Sequence, residues 1–378
     1  MVNEGKDQLA ILEIIKHRAN SISAKTVTIG FDGFIDSVVR VIHHKDQDLP
    51  TTYFESTQSL GEYIVEKGQK NFSLELEELT TKLGGNMPIM ANALARLGPM
   101  VSCIGSLGYP VIHPVFKHMP PNCRLYSFAD PGVSKVLEFK RGKIMLAEMD
   151  ALNRIQWEFI KETIGANTLR EMFSKSDLIA ILNWSELDNS TDIWNGILRD
   201  ILPESEYRKK PFGFFDLSDC SKRSGASILE ATELIKAFSV YWDVILSLNL
   251  NEATIVHSVL TQEKLPEGNI EEMCEGIYRA LKINTVIIHY DKQSVAWSRS
   301  GLHKRKSFYI KEPEISTGSG DNFNAGFCLG ILLDLDIGTS LVLGNATAAL
   351  YMQSGQSQTT AGVLEFLSEN LSRWDEFS

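Results

Sequence analysis

The sequence predicts an α/β protein of three layers, in which helices cover both faces of a mainly parallel sheet. The first observation is a series of short, almost wholly apolar runs, as expected for strands buried on both faces. The second is that helical stretches, such as 226–238 and 270–282, separate these runs, which is the order of strands joined by crossover helices. The runs are residues 178–184, 212–217, 244–249 and 285–290.

The first 110 residues add further helices and strands. Residues 7–18 carry apolar side chains at helical spacing, and residues 26–31 read as a buried strand that ends in a glycine turn. A helix is predicted over 86–97, where Pro88 suits the first turn and Gly98 ends the helix; a strand follows at 101–105.

Two β-rich segments interrupt the alternation of strands and helices. Residues 35–42 alternate in polarity and are followed by a polar, loop-like segment to about residue 80. The second segment, 122–148, contains a hairpin predicted to turn at Arg141-Gly142-Lys143. We interpret about 36–80 and 122–148 as insertions that form a small β lid on a single domain spanning residues 1–378.

Composition excludes several classes of partner. The formal net charge of −11 disfavours binding to nucleic acid or to an anionic membrane. No apolar run approaches the roughly 20 residues that span a bilayer, and the N-terminus mixes charged and apolar residues unlike a signal peptide. The five scattered cysteines are typical of buried thiols in a reducing compartment, so a soluble cytoplasmic protein is expected.

Small residues run directly into an apolar helix at Gly318-Ser319-Gly320-Asp321. Glycines let the backbone wrap around a ligand, and the free N–H groups of a helix start attract an anion. A carboxylate beside that anion is useful if it takes a proton from an incoming hydroxyl, as phosphoryl transfer to an alcohol requires. The alternative is an ordinary loop followed by a helix cap.

Three further motifs have a functional and a structural interpretation each. Paired glycines in Gly84-Gly85-Asn86 let a small polar ligand approach the main chain, although such pairs are often simple turns. Asp36 follows the first strand and can accept hydrogen bonds from vicinal hydroxyls, or be a solvated loop residue. Asn249 and Glu252 follow a strand and can hold waters around Mg²⁺, or cap the next helix.

Taken in this order, the motifs resemble the ribokinase-like, or phosphofructokinase B-type, carbohydrate kinase family over about residues 25–355. Residues 317–327 are similar to the second signature of the family, and residues 84–98 to the first. The resemblance implies an ATP- and Mg²⁺-dependent kinase that acts on a small sugar, closes a β lid over it, and allows a homodimer through the lid.

The resemblance also implies roles for individual residues. Asp321 would be the catalytic base, and the amides of Gly318, Ser319 and Gly320 would hold the transferring phosphoryl group. The sugar would be bound by Asp36, Gly84, Gly85 and Asn86. Asn249, Thr317 and Asn345 would contribute to the nucleotide site, and Glu252 would hold Mg²⁺ through water.

Three positions depart from the family pattern. Ile89 replaces a substrate-binding asparagine, and Ile315 replaces an aspartate linked to a monovalent cation. After the strand at 285–290, a glycine-rich phosphate loop is replaced by residues 289–294, which include His289 and Asp291. Two hypotheses follow: an active sugar kinase with a reshaped nucleotide pocket, or a sugar-binding regulatory or scaffold protein without turnover.

Overall fold

The computed structural model describes residues 4–140, 142–266 and 268–370. The strands in this part of the chain are β1 (Thr26–Gly30), β2 (Phe34–His44), β3 (Thr52–Tyr53), β4 (Leu76–Gly84), β5 (Met100–Gly105), β6 (Cys123–Ser127), β7 (Gly132–Glu138), β8 (Lys143–Glu148), β9 (Leu178–Leu182), β10 (Phe212–Asp216), β11 (Asp243–Asn249), β12 (Thr285–His289), β13 (Gln293–Ser298) and β14 (Gly301–Lys306).

The helices connect and cover these strands. They are α1 (Glu4–Ala19), α2 (Thr57–Lys67), α3 (Asn86–Leu97), α4 (Asp150–Asn153), α5 (Trp157–Ile164), α6 (Ala166–Lys175), α7 (Ser190–Asp200), α8 (Gly225–Phe238), α9 (Leu250–Thr261), α10 (Ile270–Leu281), α11 (Ser319–Leu332), α12 (Ile337–Ser354) and α13 (Thr360–Glu369). None of these described helices is long and apolar enough to cross a membrane.

The main sheet has the strand order β14-β13-β12-β11-β10-β9-β1-β5-β6. All neighbours from β6 to β12 are parallel, and only the β12–β13 and β13–β14 pairs are antiparallel. From β1 the chain moves to β5 and β6 on one side, and then to β9 and beyond on the other. Because the chain adds strands first on one side of β1 and then on the other, a crevice opens there at the carboxyl ends of the strands, where open α/β sheets bind ligands.

Helices cover both faces of the main sheet, because its strands are apolar on both sides. Leu178, Ala180 and Leu182 of β9 pack towards α1, α3, α11, α12 and α13, whereas Ile179 and Ile181 pack towards α5 to α10. The predicted helices are therefore confirmed, and so are the predicted strands at 178–184, 212–217, 244–249 and 285–290, with ends shifted by at most three residues.

A second sheet contains β3, β2, β7 and β8 in that order, and β4 is its fifth strand. β4 pairs with β2 in the antiparallel sense. Val39, Phe54, Leu60 and Leu137 are members of a small core that belongs to this sheet. The prediction of a loop to about residue 80 is wrong. This segment contains α2, which Ser56 caps, and β4, which pairs with β2 from Leu76 onward. That pairing depends on contacts that are distant along the chain.

The second predicted insertion, 122–148, divides between the two sheets. β6 is the edge strand of the main sheet, whereas β7 and β8 form an antiparallel pair in the second sheet. Glu138 pairs with Lys143, which confirms a hairpin at the predicted place; Arg141 itself lies outside the described residues.

Candidate active site

The carboxyl edge of the main sheet collects buried polar side chains around the switch between β1 and β9. Asn183 and Ser218 follow β9 and β10 and both adopt left-handed backbone conformations, with φ of 63° and 60°. Such conformations are uncommon for residues with a side chain and concentrate at functional sites. The Asn183 N–H donates to the Asp216 carbonyl at 3.0 Å, which ties these two strand ends together.

Asp36 lies in β2 of the second sheet and is 4% exposed. Its carboxylate lies so close to Gly84 that a Cβ there would collide with it, which is why this position has no side chain. Burial raises the pKa of Asp36, and the charges of Lys82 and Lys143 oppose that rise. Beside it on β7, the buried Ser134 hydroxyl has no hydrogen-bond partner among the described residues. The place therefore offers a carboxylate and a free hydroxyl to a polar ligand.

A second carboxylate, Asp32, fixes the neighbouring Gly85-Asn86 turn. It accepts hydrogen bonds from the Met87 N–H at 2.8 Å and from Asn183 Nδ2 at 2.6 Å. Gly85 has a φ of +87°, and a Cβ there would lie 2.6 Å from Asp32 Oδ2. Burial raises the pKa of Asp32 to about 7, against the lowering effect of these donors. Asp32 thus holds the positive end of α3 in place.

Asp321 lies in the first turn of α11 and is 7% exposed. Burial and then the negative charges of Asp216, Asp32 and Glu252 raise its pKa well above the usual value, and the Asn86 side chain, which faces it, partly opposes this. Its Oδ1 is buried and accepts no hydrogen bond from the described part of the chain. An unpartnered buried acceptor is costly, and this atom remains available to a ligand.

Asp216 links the acidic residues to the sheet. Its Oδ1 accepts from the Ser218 N–H at 2.9 Å, and its Oδ2 accepts from Asn324 Nδ2 at 2.7 Å. Asn324 in turn accepts from the Ser247 hydroxyl at 2.8 Å. Burial raises the pKa of Asp216 as well. Four buried carboxylates therefore act on one another here, and a bound cation would relieve their repulsion.

Asn249 and Glu252 form a capping box at the start of α9. Glu252 Oε2 accepts from the Asn249 N–H at 2.9 Å, Glu252 Oε1 accepts from Asn249 Nδ2 at 2.6 Å, and the Glu252 N–H donates back to Asn249 Oδ1 at 3.0 Å. The structural interpretation of this motif is thus present. The capping box does not exclude a role in magnesium binding, because each Glu252 oxygen keeps a second lone pair. The Glu252 carboxylate also lies close enough to Asp216 for the charge of Asp216 to raise its pKa.

The turn before α11 is held by α12. Gly318 has a left-handed φ of 90°, and the Tyr351 hydroxyl donates to the Thr317 carbonyl at 2.9 Å. Burial and then the charges of Asp321 and Asp36 raise the pKa of Tyr351 to about 12. The Ser319 N–H donates to the Ser316 carbonyl at 3.2 Å. Of the three amides predicted to hold an anion, Ser319 is therefore already used within the turn.

A cleft of about 990 Å³ opens beside this turn. Its walls come from the ends of β11 and β12, the start of α11 and the middle of α12; they include Asn249, His289, Ser319, Gly320 and Asn345. Asn345 Nδ2 donates to the Ser294 hydroxyl at 3.0 Å and to the Lys306 carbonyl at 3.1 Å, so its amide donors serve the fold. Thr317 and Glu252 are not among the residues that line this cleft in the described structure.

The structure thus arranges the predicted site residues in two groups. In the first, Asp36 lies against Gly84, next to Gly85, and the side chain of Asn86 faces Asp321. In the second, Asn249, Ser319, Gly320 and Asn345 line the cleft.

Sequence reasoning missed Asp32, Asn183 and Tyr351. Asp32 carried a usable signal, since it stands in a glycine turn immediately after β1. Asn183 also follows a strand on the ligand edge. Tyr351 lies inside an apolar helix, and no local pattern marks it.

A family model described as prokaryotic ketohexokinase matches residues 6–370. The match includes every residue of the two groups above. The chain belongs to the prokaryotic ketohexokinase family. It is a carbohydrate kinase of ribokinase-like type, and the sequence-based prediction of that enzyme class is confirmed.

Two kinds of relatives support the assignment. The ketohexokinase of Haloferax volcanii is 26% identical over 354 residues, which cover 92% of each chain. The ribokinase of Thermotoga maritima matches 91% of this chain and 99% of its own, with a TM-score of 0.60 at 16% identity. The ribokinase of Arabidopsis thaliana, complexed with ribose and ATP, matches 91% and 98%, with a TM-score of 0.60 at 14% identity. These structures confirm the ribokinase-like α/β/α fold.

Proposed function

We propose that this kinase transfers the γ-phosphoryl group of ATP to a hydroxyl of a ketohexose, with Asp321 as the general base. The observation that carries the proposal is the position of Asp321 Oδ1. It is buried, lacks a partner among the described residues, and lies in the first turn of α11 beside the glycine turn. The names of the family and of its Haloferax volcanii relative suggest the ketohexose.

The chemistry requires Asp321 to be ionised when it accepts the hydroxyl proton. Its surroundings oppose this, because burial and three acidic neighbours raise its pKa. A cation bound together with the nucleotide would reverse the effect, since a nearby cation favours the charged form of a carboxylate. The base would then become active only in the loaded site, where a proton acceptor within reach of the hydroxyl contributes about 10² to 10⁴ in rate.

Mg²⁺ is the cation that fits this set of ligands. Mg²⁺ prefers oxygen ligands and keeps several waters, so one or two carboxylates suffice to hold it. Glu252 and Asp216 supply such oxygens. Within the described residues, no three acidic, histidine or cysteine side chains are arranged to coordinate a metal directly, which favours contact through water. When bound, the ion would neutralise charge on the phosphates of ATP.

The sugar would lie between the second sheet and α3. The Asp36 carboxylate and the free Ser134 hydroxyl would bind it, and Gly84 leaves the room that this carboxylate occupies. We propose that the second sheet is the lid of a single kinase domain. The exposed apolar side chains Leu79 and Leu146 on this sheet support the further proposal of a homodimer through the lid, which light scattering would test.

ADP release with a panel of sugars and nucleosides tests the proposal. We expect ketohexoses to give the highest kcat/KM, and ATP with Mg²⁺ to raise the melting temperature of the protein, since a ligand that binds the folded state stabilises it. Absence of both effects would support the alternative of a non-catalytic sugar-binding protein. The open cleft beside Ser319 and Gly320 favours the enzyme, because a degraded pocket has no need of that space.

A further inference from the structure

His289 is the last residue of β12 and forms part of the cleft wall. Its ring stacks on the ring of Phe323 in α11, with 4.7 Å between centroids and 27° between planes. Its Cε1 faces the start of α11, since a Cβ on Gly320 would lie 3.3 Å from it. The edge of the imidazole that carries Cε1 between the two nitrogens is therefore directed at the helix start.

Neither ring nitrogen of His289 forms a hydrogen bond with a residue that the structure describes. This separates it from His303 on β14, whose Nε2 lies 2.8 Å from the Ser300 hydroxyl. Burial lowers the pKa of His289 to about 4, so the imidazole is neutral at physiological pH and carries one N–H donor. A half-buried donor without a protein partner is the kind of group that a ligand satisfies.

The neighbouring amides indicate which part of a ligand this donor meets. The Gly320 N–H is in the first turn of α11 and has no partner in the described backbone, whereas the Ser319 N–H is used by Ser316. Free N–H groups at a helix start bind phosphate. The base and ribose of a nucleotide would occupy the remainder of the cleft, towards Tyr309 and Met352.

We infer that His289 contacts the donor nucleotide, and that its neutral imidazole donates a hydrogen bond to a terminal phosphate oxygen beside the Gly320 amide. This inference rests on the proposed function. In this chain, His289 belongs to the segment that replaces the glycine-rich phosphate loop of the family pattern. The stacked ring of Phe323 holds the imidazole in the orientation that directs its edge towards the phosphate. The residue is a specificity determinant for phosphorylated ligands rather than a source of charge.

The test compares the affinities of His289→Ala for ATP, ADP and adenosine by calorimetry with Mg²⁺ present. Loss of one hydrogen bond to a charged group should weaken ATP binding about tenfold. Adenosine affinity should stay unchanged, because it lacks the phosphates. His289→Gln, which keeps an N–H donor, should recover part of the loss, and its melting temperature controls for folding. Phe323→Leu should also weaken ATP binding, but by less than His289→Ala, because the imidazole remains but loses its stacking partner.

His303→Gln, at a half-buried histidine outside the cleft, is the matched control and should bind all three ligands like the parent. Equal ATP affinity of His289→Ala and the parent would overturn the inference while leaving the kinase proposal intact. An equal loss for adenosine would also overturn it, by placing His289 against the base. If the parent protein binds no nucleotide at all, the proposed function is wrong, and the inference about His289 is wrong with it.

Discussion

The region around Asp36 and the region around Asp321 bury the same chemical group in opposite electrostatic surroundings. Asp36 is 4% exposed and Asp321 is 7% exposed, so desolvation raises the pKa of both carboxyls. Near Asp36 the charges of Lys82 and Lys143 oppose the rise. Near Asp321 the charges of Asp32, Asp216 and Glu252 increase it.

The difference separates two tasks that one residue type can perform. A carboxylate whose charged form is favoured by neighbouring lysines can accept hydrogen bonds from sugar hydroxyls. A carboxylate among acids favours its protonated form until a cation arrives, and so can take a proton only in the loaded site. The predictions below test this contrast.

The largest effect is expected for Asp321→Asn. The amide cannot accept the hydroxyl proton, so kcat should fall by about 10² to 10⁴. The substitution removes a charge that repels three acidic neighbours, so the melting temperature should not fall, and sugar affinity should remain within a few-fold. Single-turnover kinetics with the sugar at saturation measures the loss; a kcat close to that of the parent would show that Asp321 is not the base.

Asp32→Asn should change how stability depends on pH. The pKa of Asp32 is raised to about 7 in the folded state, so folded protein keeps a proton that unfolded protein loses above about pH 4. The free energy of unfolding should therefore fall as pH rises from about 4 to about 7, by at most about 4 kcal/mol from this residue.

Denaturant unfolding at pH 5 and pH 8 measures this effect. The variant should gain stability relative to the parent as pH rises, because it lacks the titrating group. Asp46→Asn, at an exposed loop position, is the control and should follow the parent. Parallel pH profiles for Asp32→Asn and the parent would contradict the raised pKa.

Asp36→Ala should act on substrate binding rather than on chemistry. Loss of charged hydrogen bonds to sugar hydroxyls should weaken sugar affinity by about 2 to 4 kcal/mol, with ATP affinity little changed. Calorimetric titration with the sugar and with ATP separates the two. Unaltered sugar affinity would remove Asp36 from the site and end the contrast with Asp321.

Lys82→Met should weaken sugar binding slightly. Lys82 pairs with Asp36 across β4 and β2, and loss of its charge makes the Asp36 anion less favourable. The lysine is half-exposed, so solvent screens the pair and the effect should stay within about 1 kcal/mol, or about fivefold in KM. A KM change as large as that of Asp36→Ala would mean that Lys82 itself contacts the sugar.

The smallest effect is expected for Asp291→Gly. Asp291 is an exposed carboxylate in the turn after β12, at the rim of the cleft. Its repulsion of a triphosphate is screened by water, so its removal should leave ATP affinity unchanged or slightly tighter. A tenfold loss of ATP affinity would show instead that Asp291 contributes directly to nucleotide binding.

The sequence by itself determined the layered α/β fold and the family. The β9 run is apolar at every position, as expected for a strand covered on both faces, and the glycines before α3 and α11 mark turns that side chains would block. The sequence could not predict which side chains face one another, because those residues lie far apart along the chain. The approach of Asp36 to Gly84 depends on β2 pairing with β4, in a segment that reads as a polar loop.

Only the tertiary structure decided the electrostatics of the site. Asp32, Asp216, Glu252 and Asp321 come from four separate segments of the chain, and no local pattern shows that they meet. Their mutual repulsion arises only when the parallel strands bring their carboxyl ends to one edge. For the same reason His289 reads in sequence as a departure from the family pattern, whereas in the fold its ring edge faces the start of α11. Local patterns fix the secondary structure, but pKa values follow from burial and through-space charge, which depend on the complete fold.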